Sequence, residues 1–243
     1  LEGLCRDLVA MCVDDLAAVG ARPIAFTDYL AVGRLDPARE KRLIASVAEA
    51  CSYAGCALLG GETAEHPGVM PAHTFDFAGA ALGVVEQDDV ITGESIRAGD
   101  VVIGVASRNL RSNGFSLVRA VIADTDLSSR IAEERSLGEA LCEPSIIYAP
   151  AVLDAIATCN VRGLAHITGG ALPGNLPRIL PPGLGVVVRR DAWPIPEVFR
   201  FVQRLGAISD ETMYETFNMG IGYAVIAPPE GVGFLILPLG GWI

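Results

Sequence analysis

The stretch Ala57-Leu58-Leu59-Gly60-Gly61-Glu62-Thr63 sets an apolar run directly against two glycines, a carboxylate and a hydroxyl. The apolar residues read as the end of a buried strand. The glycines permit a sharp turn and a close approach of the backbone to a ligand. That order suits a strand end that presents Glu62 to a cation or a phosphate, with a solvated turn carrying an incidental Glu as the plain alternative. A second acidic set, Asp7, Asp14 and Asp15, lies in an apolar segment of helical period. Seven residues are close to two turns, so Asp7 and Asp14 share a face with Asp15 beside them. Carboxylates inside an apolar helix are costly unless solvated or paired with a cation. They read either as a polar outer face or as ligands for Mg2+, which takes few protein carboxylates and completes its shell with substrate phosphates. Glu65, His66 and Asp76 are near Glu62 in sequence. The chain has only three histidines, His66, His73 and His166, and lacks the tight His/Cys/carboxylate set that zinc requires.

Further along, Ser112-Asn113-Gly114 opens a predicted helix and is equally suited to capping it. In Ala165–Asn175, His166 and Thr168 precede Gly169-Gly170, a loop type whose backbone N–H groups can cradle an anion. Asn218 sits at another glycine turn, Phe217-Asn218-Met219-Gly220.

The elements that must position these residues alternate between helix and strand, which indicates an α/β or α+β fold. A helix runs from Cys5 to Gly20, with Leu8, Met11, Cys12, Leu16 and Val19 as its apolar stripe. A strand follows Pro23. A second helix spans Pro37 to Ala54, with Asp36 as N-cap and Pro37 at the first helical position. Strands are expected at 56–61 and 75–85. The polar, turn-rich stretch 86–99 marks a domain boundary between apolar strands. Beyond it come a strand at 101–106, a helix from Phe115 to Ala123, a polar segment at 124–136 and a helix near 145–158. A short helix closes the His166 stretch. A strand at 186–190, an amphipathic helix at 195–206 and a strand ending at Ala227 complete the chain. Both halves run an apolar strand into a pair of glycines, with no repeat at a fixed short period.

The chain has 243 residues, 51% of them hydrophobic, ample for one large core or two smaller ones. The net charge is −11, and beyond Arg189-Arg190 there is no basic cluster, which argues against nucleic-acid binding. Lys41 is the sole lysine, so any phosphate must be neutralised here by Arg, backbone N–H groups and metal. The six cysteines, Cys5, Cys12, Cys51, Cys56, Cys142 and Cys159, form no Cys-x-x-Cys pair and read as reduced, buried thiols of a cytoplasmic protein. The tail at 231–241 is too short and interrupted to span a bilayer, so no membrane association is expected.

The motifs "DLVAMCVDDL", "LLGGETAEHPG", "SNGFSLVR", "HITGG", "PRILP" and "YETFNMGIG" occur in one order, and together they resemble the phosphoribosylformylglycinamidine cyclo-ligase (aminoimidazole ribonucleotide synthetase) family over nearly all of residues 5–227. Sibling enzymes, among them selenophosphate synthetase, thiamine-monophosphate kinase and a hydrogenase-maturation protein, share the acidic helix and the Gly-Gly-acid turn. They do not usually carry "SNGFSLVR" or "TFNMGIG". The resemblance implies two α/β (α+β) domains, residues 1–90 and 91–243. The first would contribute strands to a barrel across a homodimer interface, and the second would be an α+β sandwich. It implies ATP-dependent ring closure of formylglycinamidine ribonucleotide with Mg2+, in the cytoplasm. Residue by residue, it implies metal-binding acids at Asp15 and Glu62 and catalytic roles for Asp14, Asp15, Glu62 and His166. It implies substrate or ATP contacts at Gly60, Gly61, Thr63, Arg111, Ser112, Asn113, Thr168, Gly169, Gly170 and Asn218. The chain departs from the family pattern at three of these motifs. Asp14-Asp15 replaces Asn-Asp, Arg111 stands where His is common before "SNG", and Ala171 replaces the third glycine of the Thr-Gly-Gly-Gly turn. The family's N-terminal glycine-rich nucleotide loop and its Asp-Gly-x-Gly-Thr-Lys strand are not among these residues, which begin at Leu1. A sibling ATP-dependent enzyme, or a non-catalytic scaffold that keeps the fold, are the alternatives.

Overall fold

The computed structural model describes residues 2–132, 135–232 and 241–242. The chain divides into two compact units, residues 1–90 with 146–153, and residues 91–145 with 154–243. The polar stretch at 86–99 does not reveal that 146–153 returns to the first unit.

In the first unit, α1 (Glu2–Ala17) leads into β1 (Arg22–Val32), α2 (Pro37–Ala54), β2 (Ala57–Glu65) and β3 (Phe75–Val84). The strands form a sheet in the order β2-β1-β3, with β1 parallel to β2 and antiparallel to β3. Local chemistry sets the ends of α2. Asp36 Oδ1 accepts from the N–H groups of Ala38 and Arg39, Pro37 opens the helix, and Gly55 closes it at φ 77°. Both helices cover one sheet face, where Phe26 and Leu30 of β1 and Val9, Val13, Leu43 and Val47 of the helices are all buried. Small residues allow the close approach: a Cβ on Gly83 would come within 3.1 Å of Leu16, and Cys12 Sγ reaches the Gly79 carbonyl at 3.6 Å. The inward stripe of α1 differs from the predicted one. It comprises Cys5, Leu8, Val9, Val13 and Ala17, whereas Met11 is exposed and Val19 lies exposed in the turn after the helix.

The second unit contains β4 (Val101–Ala106), α3 (Phe115–Val121), β5 (Arg130–Ala132), β6 (Arg135–Ser136), α4 (Leu137–Leu141), α5 (Ala149–Thr158, whose first residues belong to the first unit), β7 (Gly163–His166), α6 (Ala171–Asn175), α7 (Glu197–Gly206), α8 (Asp210–Thr216), β8 (Ile221–Ala227) and β9 (Gly241–Trp242). Its main sheet has the order β7-β8-β4-β9 with antiparallel neighbours. The helices pack a core that includes Val118, Phe199, Val202, Met213 and Phe217, with Phe199 and Phe217 edge to face at 6.1 Å. The expected strand at 186–190 is absent. Its backbone has no strand neighbour among the described residues, and Val187 is 90% exposed. No helix of the described residues is long and apolar enough to cross a membrane. Residues 233–240 of the apolar tail lie outside the described residues.

Candidate functional site

Gly60 and Gly61 do not turn the chain at the end of a strand, as their type predicts. β2 continues through them to Glu65, because β1 offers backbone partners as far as Val32. What the glycines permit is a bulge. Phe26 lies opposite Leu58 and Thr27 opposite Gly60, so Leu59 is extra, and Gly60 adopts φ 150°. The slip has a chemical consequence. Unshifted pairing would set Glu62 opposite Leu30, on the face buried under the helices. The bulge sets it opposite Tyr29 instead, on the open face. Glu62 is exposed there, with Oε1 accepting from the Thr63 N–H at 3.0 Å. Gly61 faces the helices, and a Cβ there would fall 1.8 Å from Asp28 Oδ1. Asp28 is buried, and burial pushes its carboxyl above the usual range.

The acids of α1 divide by environment. Asp14 is fully buried, and its Oδ1 accepts from the N–H groups of Tyr148 (2.8 Å) and Ala149 (2.9 Å), holding the segment 146–153 in the first unit. Asp15 is exposed. Asp15 thus belongs to the helical layer and Glu62 to the opposite face of the sheet. Among the described residues, no group of three or more His, Cys, Asp or Glu side chains is placed to hold a metal ion. The cysteines are free. Burial raises the thiols of Cys5 and Cys12 to about 11 and that of Cys51 to about 12, so they stay protonated and unreactive; Cys142 alone is exposed.

In the second unit the remaining candidates come together at one end of the sheet, where β4 and β7 end and β8 begins. The loop after β4 carries Arg111 (φ 53°), Ser112 (φ 58°) and Gly114 (φ 77°). Left-handed backbone at two non-glycine residues marks strain that the surroundings must hold. Ser112 and Asn113 do not cap α3: Gly114 is its N-cap, without a side-chain bond, and Asn113 Nδ2 donates instead to the Arg111 carbonyl at 2.8 Å. His166 ends β7, stacked on Tyr223 at 5.8 Å, with Nε2 3.0 Å from Arg111 Nη2. A Cβ on Gly169 would come 3.9 Å from Asn113 Oδ1, so the Thr168-Gly169-Gly170 loop lies beside the Arg111 loop. Asn218 ties the third loop in, donating to the Asn109 carbonyl (2.9 Å) and accepting from the Gly220 N–H (2.8 Å). Asn109, Asn175 and Trp193, whose Nε1 donates to the Met219 carbonyl at 2.9 Å, are buried members of this network that the motif reading passed over. Asn109 and Asn175 were signalled only by standing in loops that contain glycine turns, and Trp193 carried no such signal. A cavity of about 510 Å3 in this unit is lined by apolar residues such as Val102, Leu172, Leu176 and Trp193. No candidate residue lines it, and the polar groups gather in the loops.

Two sequence families account for most of the chain. Residues 2–85 match the family described as AIR synthase related protein, N-terminal domain, and residues 97–235 match its C-terminal domain. The chain belongs to the AIR synthase related protein family. Curated members similar to it are named phosphoribosylformylglycinamidine cyclo-ligase. The one from Desulfitobacterium hafniense (strain DSM 10664 / DCB-2) is 49% identical over 232 residues, covering 95% of this chain and 68% of the relative. The one from Bacillus subtilis (strain 168) is 47% identical over 228 residues, covering 92% and 66%. The chain thus spans about two thirds of the length of these AIR synthase relatives. Among solved structures, a hydrogenase maturation protein HypE superposes with a TM-score of 0.73 at 20% identity, covering 98% of this chain and 70% of that one. Thiamine monophosphate kinase from Aquifex aeolicus gives 0.64 at 17% identity, covering 94% and 72%. These two likenesses establish the two-domain AIR synthase-type fold.

Proposed function

We propose that this chain is an ATP-dependent cyclo-ligase of purine biosynthesis, which closes the imidazole ring of formylglycinamidine ribonucleotide to give aminoimidazole ribonucleotide, ADP and phosphate. The observation that carries this reading is the 49% identity to a relative of that name along 95% of the chain. The reaction activates the formyl oxygen by phosphoryl transfer; an amidine nitrogen then attacks, and phosphate leaves. The protein's task is to hold the reactants in line and to neutralise the transferring group.

The convergent loops of the second unit suit that task. Thr168, Gly169 and Gly170 offer backbone N–H groups to phosphate, Arg111 supplies a fixed cation, His166, Ser112 and Asn113 orient polar groups of the substrate, and Asn218 holds the loops together behind them. In the first unit, the exposed carboxylates of Asp15 and Glu62 are hard oxygen donors. They lie on opposite faces of the sheet, so each would give Mg2+ a single protein carboxylate, with water and phosphate oxygens as most of its ligands; such a donor set does not fit zinc. Gly60, Gly61 and Thr63 place Glu62. Bound Mg2+ would supply charge neutralisation to the phosphoryl group. Asp14 serves by holding the helix that carries Asp15.

The open face of the first sheet supports a homodimer. Tyr29, Leu59, Leu82 and Val84 are exposed on it, Leu59 at 66% and Leu82 at 63%, and a second copy is the partner that would cover them. A cytoplasmic location fits the free thiols and the substrate. A coupled assay of ADP release by the full-length protein tests the function. ADP should appear only when formylglycinamidine ribonucleotide is present with Mg-ATP. ADP release with thiamine monophosphate instead, or AMP release with selenide, would favour a sibling enzyme, and no nucleotide turnover with any of them would favour a scaffold.

A further inference from the structure

We propose that Asn175 is a positioning residue that sets the peptide polarity of the Thr168–Ala171 loop, so that the Gly169 and Gly170 N–H groups face the ligand. This deepens the reading above and rests on its assignment of that loop to a phosphate-bearing ligand. The loop is an unusual stretch of backbone. Gly170 has φ 87° and Ala171, a fully buried non-glycine residue, has φ 51°. Such a conformation persists only where surrounding contacts over-determine it. One buried side chain provides most of those contacts. Asn175 Nδ2 lies 2.7 Å from the Ala171 carbonyl, 3.2 Å from that of Gly169 and 3.4 Å from that of Thr168, while its Oδ1 lies 3.5 Å from Thr168 Oγ1. The Thr168 carbonyl also accepts from the Ala171 N–H at 3.0 Å.

The consequence follows from the planarity of the peptide. In a trans peptide the carbonyl of one residue and the N–H of the next point in opposite directions. Drawing the Thr168 and Gly169 carbonyls inward to Asn175 therefore turns the Gly169 and Gly170 N–H groups outward. Both glycines are exposed, Gly169 beside Asn113, while Asn175 is buried behind them. An amide is the suitable group for the inner position, because it donates two hydrogen bonds without bringing a charge that would compete with the ligand. A carboxylate of the same shape would face the carbonyl oxygens with no donor and release the peptides to rotate.

The test uses the full-length, 15N-labelled protein with two probes, a Mg-bound non-hydrolysable ATP analogue and formylglycinamidine ribonucleotide. In the wild type, at least one probe should shift the Gly169 and Gly170 amide signals. In Asn175→Asp those signals should be displaced before any probe is added. The KM for the reactant corresponding to the responding probe should rise tenfold or more, with the other KM within twofold. Asn175→Ala should follow the same pattern, and melting curves should show both variants folded at the assay temperature. A merely structural role would lower the melting temperature and the active fraction while leaving both KM values unchanged. Undisplaced amide signals in Asn175→Asp, or two unchanged KM values, would overturn the inference while the wild-type response upholds the loop as a ligand site. No response of the wild-type signals to either probe would remove the loop from the site, and the inference with it.

Discussion

Arg111 Nη2 lies 3.0 Å from His166 Nε2, with both side chains buried and 55 residues apart in sequence. A guanidinium only donates hydrogen bonds, so Nε2 must carry a lone pair. In that contact the His166 ring proton sits on Nδ1, and the ring stacks on Tyr223 with the planes 25° apart. Arg111 thus has a defined partner, and it orients the one buried imidazole of the candidate site.

Removing that donor should show in the ring and in the rate. In Arg111→Ala, the 15N signals of the His166 imidazole should change from one neutral tautomer to a mixture. kcat/KM should fall by roughly tenfold or more, the equivalent of about 1.4 kcal/mol of lost transition-state stabilisation. A single unchanged tautomer in the variant would show that Arg111 does not set it.

The acids of the first unit should separate by experiment as they do by burial. Asp14→Ala removes the acceptor for two buried N–H groups and should cost about 2 kcal/mol in denaturant unfolding. Asp15→Asn and Glu62→Gln, at exposed positions, should leave stability within about 1 kcal/mol and reduce turnover by roughly a hundredfold or more. Turnover within a few-fold of wild type in both variants would exclude them from metal binding.

Asp28 and Gly61 make a coupled pair. The Asp28 carboxyl is raised by desolvation, so between its unfolded and folded values the folded state binds more protons than the unfolded chain. The stability associated with this group is therefore present at low pH and is lost as pH rises through the folded value. Asp28→Asn should raise the melting temperature at neutral pH, with the difference vanishing below about pH 4, near the ordinary value for Asp. A difference that is independent of pH would exclude titration of Asp28 as its source. Gly61→Ala would drive a methyl into Asp28 Oδ1 and should cost about 1–3 kcal/mol, part of which Asp28→Ala in the same chain restores.

The open sheet face should control assembly. Full-length protein should be a dimer by light scattering at micromolar concentration, burying more than about 2,000 Å2 as obligate pairs do. Leu82→Arg puts a charge on that face and should yield monomers. A wild-type monomer at that concentration would exclude this interface.

What the sequence determined by itself lies where the deciding interactions are a few residues long. Asp36, Pro37 and Gly55 terminate α2 through bonds to the adjacent turn, so its ends were legible to the residue. The six family motifs were legible for a related reason: each is a short run of residue types, in a fixed order along the chain. Tertiary structure decided everything that depends on a partner distant in sequence. β2 continues past Gly60-Gly61 because β1 pairs with it, and the bulge at Leu59, not the glycines alone, sends Glu62 to the open face. The inward face of α1 was set by what packs beneath it, which left Met11 in solvent and buried Asp14 against the amides of Tyr148 and Ala149. Residues 186–190 have the composition of a strand but no strand neighbour among the described residues, and a strand cannot satisfy its own backbone. Asn175 and the Arg111–His166 pair belong to this second kind. A hydrogen bond needs about 3 Å and a direction, and only the folded chain brings groups so far apart in sequence to that distance.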